Sequence, residues 1–386
     1  PDSLKSQGTV RMAAPYEATS TILSQLNMDQ VLTLESEDIG PYALALGRVL
    51  PGQALGLPLT LTGKLVSQDR RYTLRDGKGR GFDTDWAGDL VLDTTGRRLK
   101  LTGDLRVEEA SLAGLATATL GDGASVRGFL SRSLEPFGDP LLDWLDMDLQ
   151  VDAKVWDLGV GPMGNNAAFT LSYDDAALGI EDFSAQFSGG NISGNLVLTP
   201  GDQGVAVEVR ANASNVDVSS FQLGGGSKIV DKLNLVVELQ GTGASPAAIV
   251  GELAGNGAAT LQDVSLGGLN TSALQALLVW ADEQENAPNA TAVEARVEAS
   301  LGDGPMEVDR SEFVFSIGGG ALRANNVRLK NDEATRTADM RLDFAAATLE
   351  ADGELRYEPG RDAVAGASPD VRLRWQGSIS NPSVEA

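Results

Sequence analysis

The sequence contains neither cysteine nor histidine in its 386 residues. The absence of cysteine excludes disulfide bonds, thiolate nucleophiles and thiolate metal sites. The absence of histidine removes the side chain that most often transfers protons and binds transition metals near neutral pH. We therefore expect no enzyme activity, no cofactor and no metal site. A scaffold or a conduit is the interpretation that these absences favour.

Long apolar runs are also missing. No stretch of about 18 apolar residues occurs, so we expect no transmembrane helix within this sequence. The first ten residues, PDSLKSQGTV, lack a Met, a basic region and an apolar region, so no signal peptide is expected either. The sequence is expected to be part of a longer protein whose membrane tether lies outside it.

Basic residues are few, since 30 Lys and Arg stand against 54 Asp and Glu, a formal charge of −24. This charge repels phosphate backbones, so nucleic acid is not an expected partner. The acidic residues are spread along the chain, which is typical of a soluble surface. A chain of this length needs either several domains or one elongated, repetitive sheet.

Period-2 alternation is the strongest pattern that is present. In residues 146–155, Met147, Leu149 and Val151 fall on one face and acidic or amide side chains on the other, which predicts a half-buried strand. The same period recurs at residues 205–211, 233–239, 293–299, 313–317 and 371–375. Turn-forming clusters at 199–204 and 300–305 predict antiparallel hairpins.

Glycine is abundant, with 45 residues, and many glycines interrupt strand patterns. These segments are 59–65, 99–105, 191–198, 254–261 and 349–357. Glycine inside a strand predicts a bulge, a bend or a close backbone approach. The irregular repeat of such segments is typical of solenoid-like β architectures.

Helix signals are few. Residues 270–284 offer Thr271 or Ser272 as N-cap and apolar residues at helical spacing, which predicts an amphipathic helix. Shorter helical segments are expected at 140–147 and 245–253. The predicted fold is mostly β: an elongated, curled, largely antiparallel sheet forming a groove-like repeat architecture, with one or two short amphipathic helices.

Two motifs suggest ligand binding, but a simpler interpretation fits each of them better. Residues 159–164, GVGPMG, match the nucleotide-binding motif GxGxxG. The following residues predict a strand, so the helix N-terminus that would bind a pyrophosphate is not expected. Asp76, Asp83 and Asp85 could offer oxygen ligands to Ca²⁺, but their spacing fits no calcium loop and favours a solvated hairpin turn.

An ordered series of segments resembles the C-terminal region of the AsmA-like family of bacterial envelope proteins, with a more distant similarity to TamB-type proteins. The segments begin with FGDPLLDWLDMDLQVDAKVWDLGVG at 137–161 and FSAQFSGGNISGNLVLTP at 183–200. A Gly-rich strand, a GGLN turn and a helix follow at 251–278. The series ends with residues 315–357 and WQGSISNP at 375–382. The resemblance divides the chain into an upstream β-repeat region, residues 1–136, and an AsmA-like β region, residues 137–386, with a helix near 271–284.

The resemblance implies a protein of the Gram-negative periplasm, anchored to the inner membrane in its full-length form. Its curled sheet would carry phospholipid acyl chains between the inner and outer membranes and so maintain the outer membrane. Inner- and outer-membrane proteins are further candidate partners. The candidate lipid-facing residues are Met147, Leu149, Val151, Val207, Val209, Leu233, Leu235, Val237, Phe313, Phe315, Leu342, Phe344 and Leu373.

Three alternatives remain open at this point. The same alternation is required by a β-sandwich whose apolar faces pack on each other, so each candidate residue could be an ordinary core residue. An assembly factor could instead receive outer-membrane strands by β-augmentation. A plain structural or adhesive β-domain is the third alternative.

Overall fold

The computed structural model describes residues 3–12, 26–52, 56–121, 133–159, 162–217, 230–266, 269–344, 346–358, 370–378 and 381–385. Most of these residues lie in strands, which confirms the predicted mostly β fold. The strands are β1 Ser3–Met12, β2 Leu26–Ser36, β3 Leu59–Gln68, β4 Arg71–Gly81, β5 Thr84–Asp93, β6 Leu99–Ser111, β7 Leu145–Asp157, β8 Gly164–Asp174, β9 Ala177–Phe187, β10 Gly190–Gly201, β11 Gly204–Asp217, β12 Val230–Gly243, β13 Ala254–Leu266, β14 Met306–Gly318, β15 Ala321–Lys330, β16 Ala334–Asp343, β17 Thr348–Tyr357, β18 Asp370–Ser378 and β19 Asn381–Glu385.

Short helices interrupt the strands. They are α1 Gly40–Ala45, α2 Leu112–Leu120, α3 Pro246–Glu252, α4 Ala273–Asp282 and α5 Ala290–Gly302. The predicted helix at 270–284 is confirmed as α4, and α3 confirms the helical segment at 245–253. Ser272 is the N-cap of α4 but makes no side-chain capping hydrogen bond. The Asn270 Oδ1 atom instead accepts a hydrogen bond from the Ser272 backbone N–H at 3.0 Å.

The chain forms two compact units. Unit 1 comprises Pro1–Phe187, Ile192–Val209 and Gly241–Ile249. Unit 2 comprises Ser188–Asn191, Arg210–Gln240 and Val250–Ala386. The expected boundary between residues 136 and 137 stays a prediction.

In unit 1, strands β1 to β9 each pair with the next strand in sequence. All of these pairs are antiparallel except β6 with β7, which run parallel. A parallel pair needs a crossover connection rather than a tight turn, and α2 lies in the chain between these two strands. The predicted antiparallel meander is therefore confirmed, with one parallel step.

In unit 2, strands β12 to β19 also pair in sequence order, and every one of these pairs is antiparallel. The core of this unit spans the inward side chains of β13 to β18 together with residues from or beside α4 and α5. Its buried members are Val264, Leu269, Ala273, Leu301, Met306, Val308, Leu329, Ala334, Ala351, Leu355, Tyr357, Leu373 and Trp375.

The core of unit 1 is built on β7, β8 and β9. Leu149, Val151 and Ala153 are buried on β7, whereas the residues between them are exposed, which confirms the predicted alternation. The Trp156 ring packs on Phe169 at a centroid distance of 5.0 Å and on Phe183 at 5.4 Å. This aromatic cluster packs on one face of three consecutive strands.

Four residues in the described strands make the same kind of hydrogen bond, and the strand register shifts at three of them, Asp76, Asp182 and Asn326. Asp76, Asp182, Asn215 and Asn326 each adopt a positive φ, at 50°, 51°, 54° and 57°. The backbone N–H of each residue donates to a side-chain oxygen of Asp89, Asn195, Asn234 and Asp339, respectively, at 2.7–2.9 Å. Asp and Asn tolerate this backbone region better than other residues with side chains. We call this arrangement the Asx bulge.

The Asx bulge revises where the strand irregularities lie. A bulge, a bend or a close backbone approach was expected at the in-strand glycines, and the β3–β4 register does shift at Gly63, between Thr62 and Lys64. At Asp76 the extra residue lies on β4, because Leu74 and Gly77 pair with Leu90 and Gly88. The expected close approach is confirmed at Gly103, whose φ is 134°, since a Cβ there would lie 2.0 Å from the Asp89 carbonyl oxygen.

Three expectations from the sequence were wrong. Residues 293–299 alternate like a strand but lie within α5, because Ala and Glu favour helix and the Asn289 Oδ1 atom caps it by accepting from the Ala292 backbone N–H at 2.9 Å. Residues 300–305 consequently comprise the end of α5 and its link to β14, and they do not join two strands. Residues 141–144 form turns that lead into β7 instead of a helix.

Candidate functional site

The inward positions of β2 to β6 in unit 1 form an apolar surface that is neither buried nor fully exposed. We call it the leucine face. It consists of Met28, Leu32, Leu34, Leu59, Leu61, Leu65, Leu74, Trp86, Leu90, Leu92, Leu101, Leu105 and Val107, all of them half-buried. The contrast with the buried face of β7 to β9 is clear, since Leu178 and Tyr173 there are 0% exposed.

Strand register aligns these side chains in rows across the sheet. Leu34 pairs with Leu61, and Leu65 pairs with Leu74, which in turn pairs with Leu90. Leu92 pairs with Leu101 at the far side of the face. Cross-strand neighbours on one face lie about 5 Å apart, so these side chains form a continuous apolar surface.

Charged side chains of these strands lie on the opposite face. Lys64 forms an ion pair with Asp29 at 3.1 Å, and Arg71 pairs with Asp93 at 2.8 Å. Hydrogen bonds from the Thr95 hydroxyl and backbone, followed by Arg71, lower the pKa of Asp93 to about 2. None of the residues of the leucine face carries a charge, and Glu109, the next alternate position on β6 after Val107, is exposed.

Three candidate residues from the sequence continue this surface. Met147, Leu149 and Val151 lie on β7, beside Leu101, Gly103 and Leu105 of β6, respectively. Met147 is half-buried like the leucine face, whereas Leu149 and Val151 are only 3% and 5% exposed.

On β11, Val207 is buried and Val209 is half-buried.

Four candidate residues come together on β12 and β14 of unit 2. Leu235 and Phe313 both pair with Ala259 of β13, so they share one cross-strand row. Val237 and Phe315 likewise share the row of Gly257. The Phe315 ring lies over this glycine, because a Cβ there would be 2.4 Å from the ring Cζ atom.

The other four candidate residues of unit 2 differ in burial. Leu233 is half-buried and pairs with Leu261. Leu342 is half-buried and pairs with Leu322 and Leu349. Leu373 is 3% exposed within the core of unit 2. Phe344 lies in the turn after β16, where its backbone N–H donates to the Gly320 carbonyl at 3.0 Å.

The leucine face was not among the lipid-facing residues predicted from sequence, all of which lie beyond residue 136. The signal was present in LTLTGKL at 59–65, where Leu59, Leu61 and Leu65 alternate with polar residues. Arg336 was not predicted either, and it occupies an inward position of β16 between Ala334 and Ala338. The alternation that includes Met340 and Leu342 could have identified this arginine as inward-facing.

Arg336 is 6% exposed and lies against the core of unit 2. Its guanidinium carbon lies 3.4 Å from the centre of the Trp375 ring. Among the described residues, its Nε atom has no hydrogen-bond partner and no carboxylate lies within 4.0 Å of its guanidinium. Burial lowers the pKa of Arg336 to about 9, so the side chain remains charged at neutral pH.

The energetics of Arg336 are unfavourable in the chain alone. A desolvated cation–π contact contributes about 2 kcal/mol. Burying an ion costs several kcal/mol unless a counter-charge and hydrogen bonds compensate it. The stabilisation from the Trp375 contact is therefore smaller than the free-energy cost of burying the Arg336 charge.

The described residues contain no group of three or more carboxylate, His or Cys side chains that could hold a metal ion. Asp76 lies in an Asx bulge, Asp83 lies in the β4–β5 turn, and Asp85 pairs with Arg80 at 3.2 Å. Within the described ranges, no helix is long and apolar enough to cross a membrane. Residues 160 and 161 of the GxGxxG segment lie outside the described residues, and β8 begins at Gly164 as expected.

No protein-family model, no curated protein and no solved structure matches this chain. The proposed function therefore depends on the geometry of the chain and on its sequence.

Proposed function

We propose that this chain carries phospholipid acyl chains along an apolar sheet face, in the periplasm, between the inner and outer membranes. The observation that carries the proposal is the leucine face. Its side chains line five neighbouring strands and all remain half-exposed. An ordinary core would bury such residues, as β7 to β9 of the same unit do.

Acyl chains match this surface chemically. Burial of apolar area contributes about 25 cal/mol per Å², so covering half-exposed leucines with hydrocarbon is favourable. The binding needs no directional contacts, and the leucine face offers no charged group that would have to be desolvated. The outer face carries Lys64, Asp29, Arg71 and Asp93 and is suited to water.

The resemblance of residues 137–382 to AsmA-like envelope proteins supports the same function and the periplasmic location. A conduit acts by shielding hydrocarbon during transit, which requires no catalytic group. The lack of histidine and cysteine is consistent with such a role.

Replacement of Leu61 by Asp tests the proposal. The carboxylate would project into the leucine face, and we expect at least about a tenfold loss of bound phospholipid, because an unpaired charge must then be desolvated. The measurement is native mass spectrometry after incubation with vesicles of bacterial phospholipid, with extracted lipid quantified in parallel.

Val31→Asp is the matched control. Val31 lies on β2, on the face opposite to Leu34, and is 57% exposed. This variant should retain lipid at the wild-type level, and both variants must show the wild-type circular dichroism spectrum. A wild-type chain that retains no lipid would contradict the proposal. Binding of unfolded outer-membrane strands by such a lipid-free chain would favour the assembly-factor alternative.

A further inference from the structure

Arg336 is a buried cation on an otherwise apolar face, and this combination points to a ligand with an anionic group attached to hydrocarbon. Resting on the proposed function, we propose that Arg336 binds the phosphate of a phospholipid whose acyl chain lies along the neighbouring apolar positions of unit 2. The site therefore recognises a head group, whereas the leucine face contacts hydrocarbon alone.

The first argument is charge. The described part of unit 2 provides no carboxylate within ion-pair distance of Arg336, and the Nε atom lacks a hydrogen-bond partner. Other arginines of β16 and β17 pair readily, since Arg341 contacts Asp343 at 3.4 Å and Arg356 contacts Asp370 at 2.9 Å. A phosphate would supply the missing charge and accept hydrogen bonds from the guanidinium fork.

The second argument is the position of the guanidinium group. Trp375 belongs to the cross-strand row that also contains Met340 and Ala351. The Arg336 side chain reaches the Trp375 ring, so it extends along the face from its own row, which contains Leu355, toward the row of Met340. Met340 is half-buried, so the row toward which the guanidinium extends is partly accessible to solvent.

The third argument is the apolar surface beyond Met340 on β15, β16 and β17. Beyond Met340, the next inward residue is Leu342, which pairs with Leu322 on one side and Leu349 on the other. All three leucines are half-buried. Six residues of strand span about 20 Å from Arg336 to Leu342, so hydrocarbon attached to a phosphate at Arg336 has apolar surface to cover.

The test compares two short-chain lipids that differ only in phosphate. Dihexanoylphosphatidic acid and dihexanoylglycerol are titrated against the whole chain, and dissociation constants are measured by native mass spectrometry. The wild type should bind the phosphate lipid at least about tenfold more tightly, as expected for one charge-assisted hydrogen-bonded contact. Inorganic phosphate alone should bind weakly, because it lacks the hydrocarbon part.

Arg336→Met removes the charge and keeps an unbranched, flexible side chain. Replacing a buried charge by an apolar group is often neutral or stabilising, so this variant is expected to fold. It should lose the preference for the phosphate lipid and bind dihexanoylglycerol as the wild type does. Arg341→Met is the matched control, because Arg341 lies on the same strand with its side chain 49% exposed.

The outcomes separate this inference from the proposed function. Equal affinity of the wild type for both lipids would overturn the role of Arg336 while leaving the acyl-chain conduit in place. An unchanged preference in Arg336→Met would have the same meaning. Tight binding of inorganic phosphate would show a plain anion site and also overturn the inference. Failure of the wild type to bind either lipid would overturn both proposals.

Discussion

At the residue scale, packing in unit 1 depends on large aromatic side chains that meet across strands. Trp156, Phe169 and Phe183 are 1%, 4% and 8% exposed and lie in mutual contact. Each ring comes from a different strand, Trp156 from β7, Phe169 from β8 and Phe183 from β9. Loss of one ring should therefore leave a cavity.

Phe169→Ala is expected to lower the free energy of unfolding by about 3–5 kcal/mol, the usual range for truncating a buried aromatic side chain. Urea denaturation followed by circular dichroism measures this change. Val31→Ala, at a position 57% exposed, should change stability by less than about 0.5 kcal/mol. Equal effects of the two substitutions would show that the aromatic cluster does not stabilise the unit.

A second residue-scale prediction concerns alkaline pH. Burial raises the pKa of Tyr357 from its ordinary 10.0 to about 12, and its hydroxyl donates to the Asn270 carbonyl at 3.3 Å. The folded state therefore favours the neutral phenol more than the unfolded state does. The resulting stability is complete below pH 10 and is lost as the pH rises from 10 to about 12.

Denaturation at pH 9 and pH 11.5 checks this expectation. The wild type should lose more stability between the two values than Tyr357→Phe, which has no phenol to ionise. Identical losses would mean that Tyr357 titrates alike in the folded and unfolded states.

At the scale of the structural element, the Asx bulge recurs in both compact units. In three of its four instances the donor and acceptor are 13 residues apart. The same local solution thus appears in hairpins β4–β5, β9–β10 and β15–β16. A bulge bends its strand and increases the local twist, so the repeat sets the curvature of each hairpin in the same way.

Substitution of Asn326 tests the bulge. Asn326→Ala should destabilise the protein by about 1–2 kcal/mol, because a residue with a Cβ is strained at positive φ. Asn326→Gly should cost clearly less, since glycine adopts this backbone region freely. Urea denaturation measures both variants.

The neighbouring Asn325→Ala serves as the control. Asn325 is exposed and does not have a positive φ, so its replacement should change stability by less than about 0.5 kcal/mol. An Ala variant at 326 as stable as the Gly variant would show that the backbone there relaxes without strain.

Prediction from sequence succeeded where one face of a strand is apolar and the other is charged, as on β7. It failed at residues 293–299, because the same residues are compatible with a helix as well as with a strand. The Asn289 cap and the flanking contacts favour the helix. Glycine marked one irregularity, at Gly63, where the β3–β4 register shifts. It did not mark the Asp and Asn residues of the Asx bulges, because their acceptor lies on a neighbouring strand, 13 or 19 residues further along the chain. Such pairing is not encoded locally.

At the scale of the whole molecule, the candidate residues could be assigned to inward positions but not to degrees of burial. Leu149 and Leu373 are core residues, whereas Met147 and Leu342 are half-buried. Alternation distinguishes the two faces of a strand, but what covers a face depends on distant segments. Among the described residues, Arg336 is the one buried charged side chain, and the net charge of −24 favours solubility over association.

The order of strand pairing has a consequence for how the protein acquires its structure. From β1 to β9, and again from β12 to β19, each strand pairs with the one that precedes it. Such local contacts need only short loops to close, so the entropic barrier for each addition is small. A chain that emerges with its first residue leading could therefore add strands one at a time, each on the edge left by its predecessor. The parallel step from β6 to β7 interrupts this sequence, because residues 112–144 must be crossed before the next pairing forms.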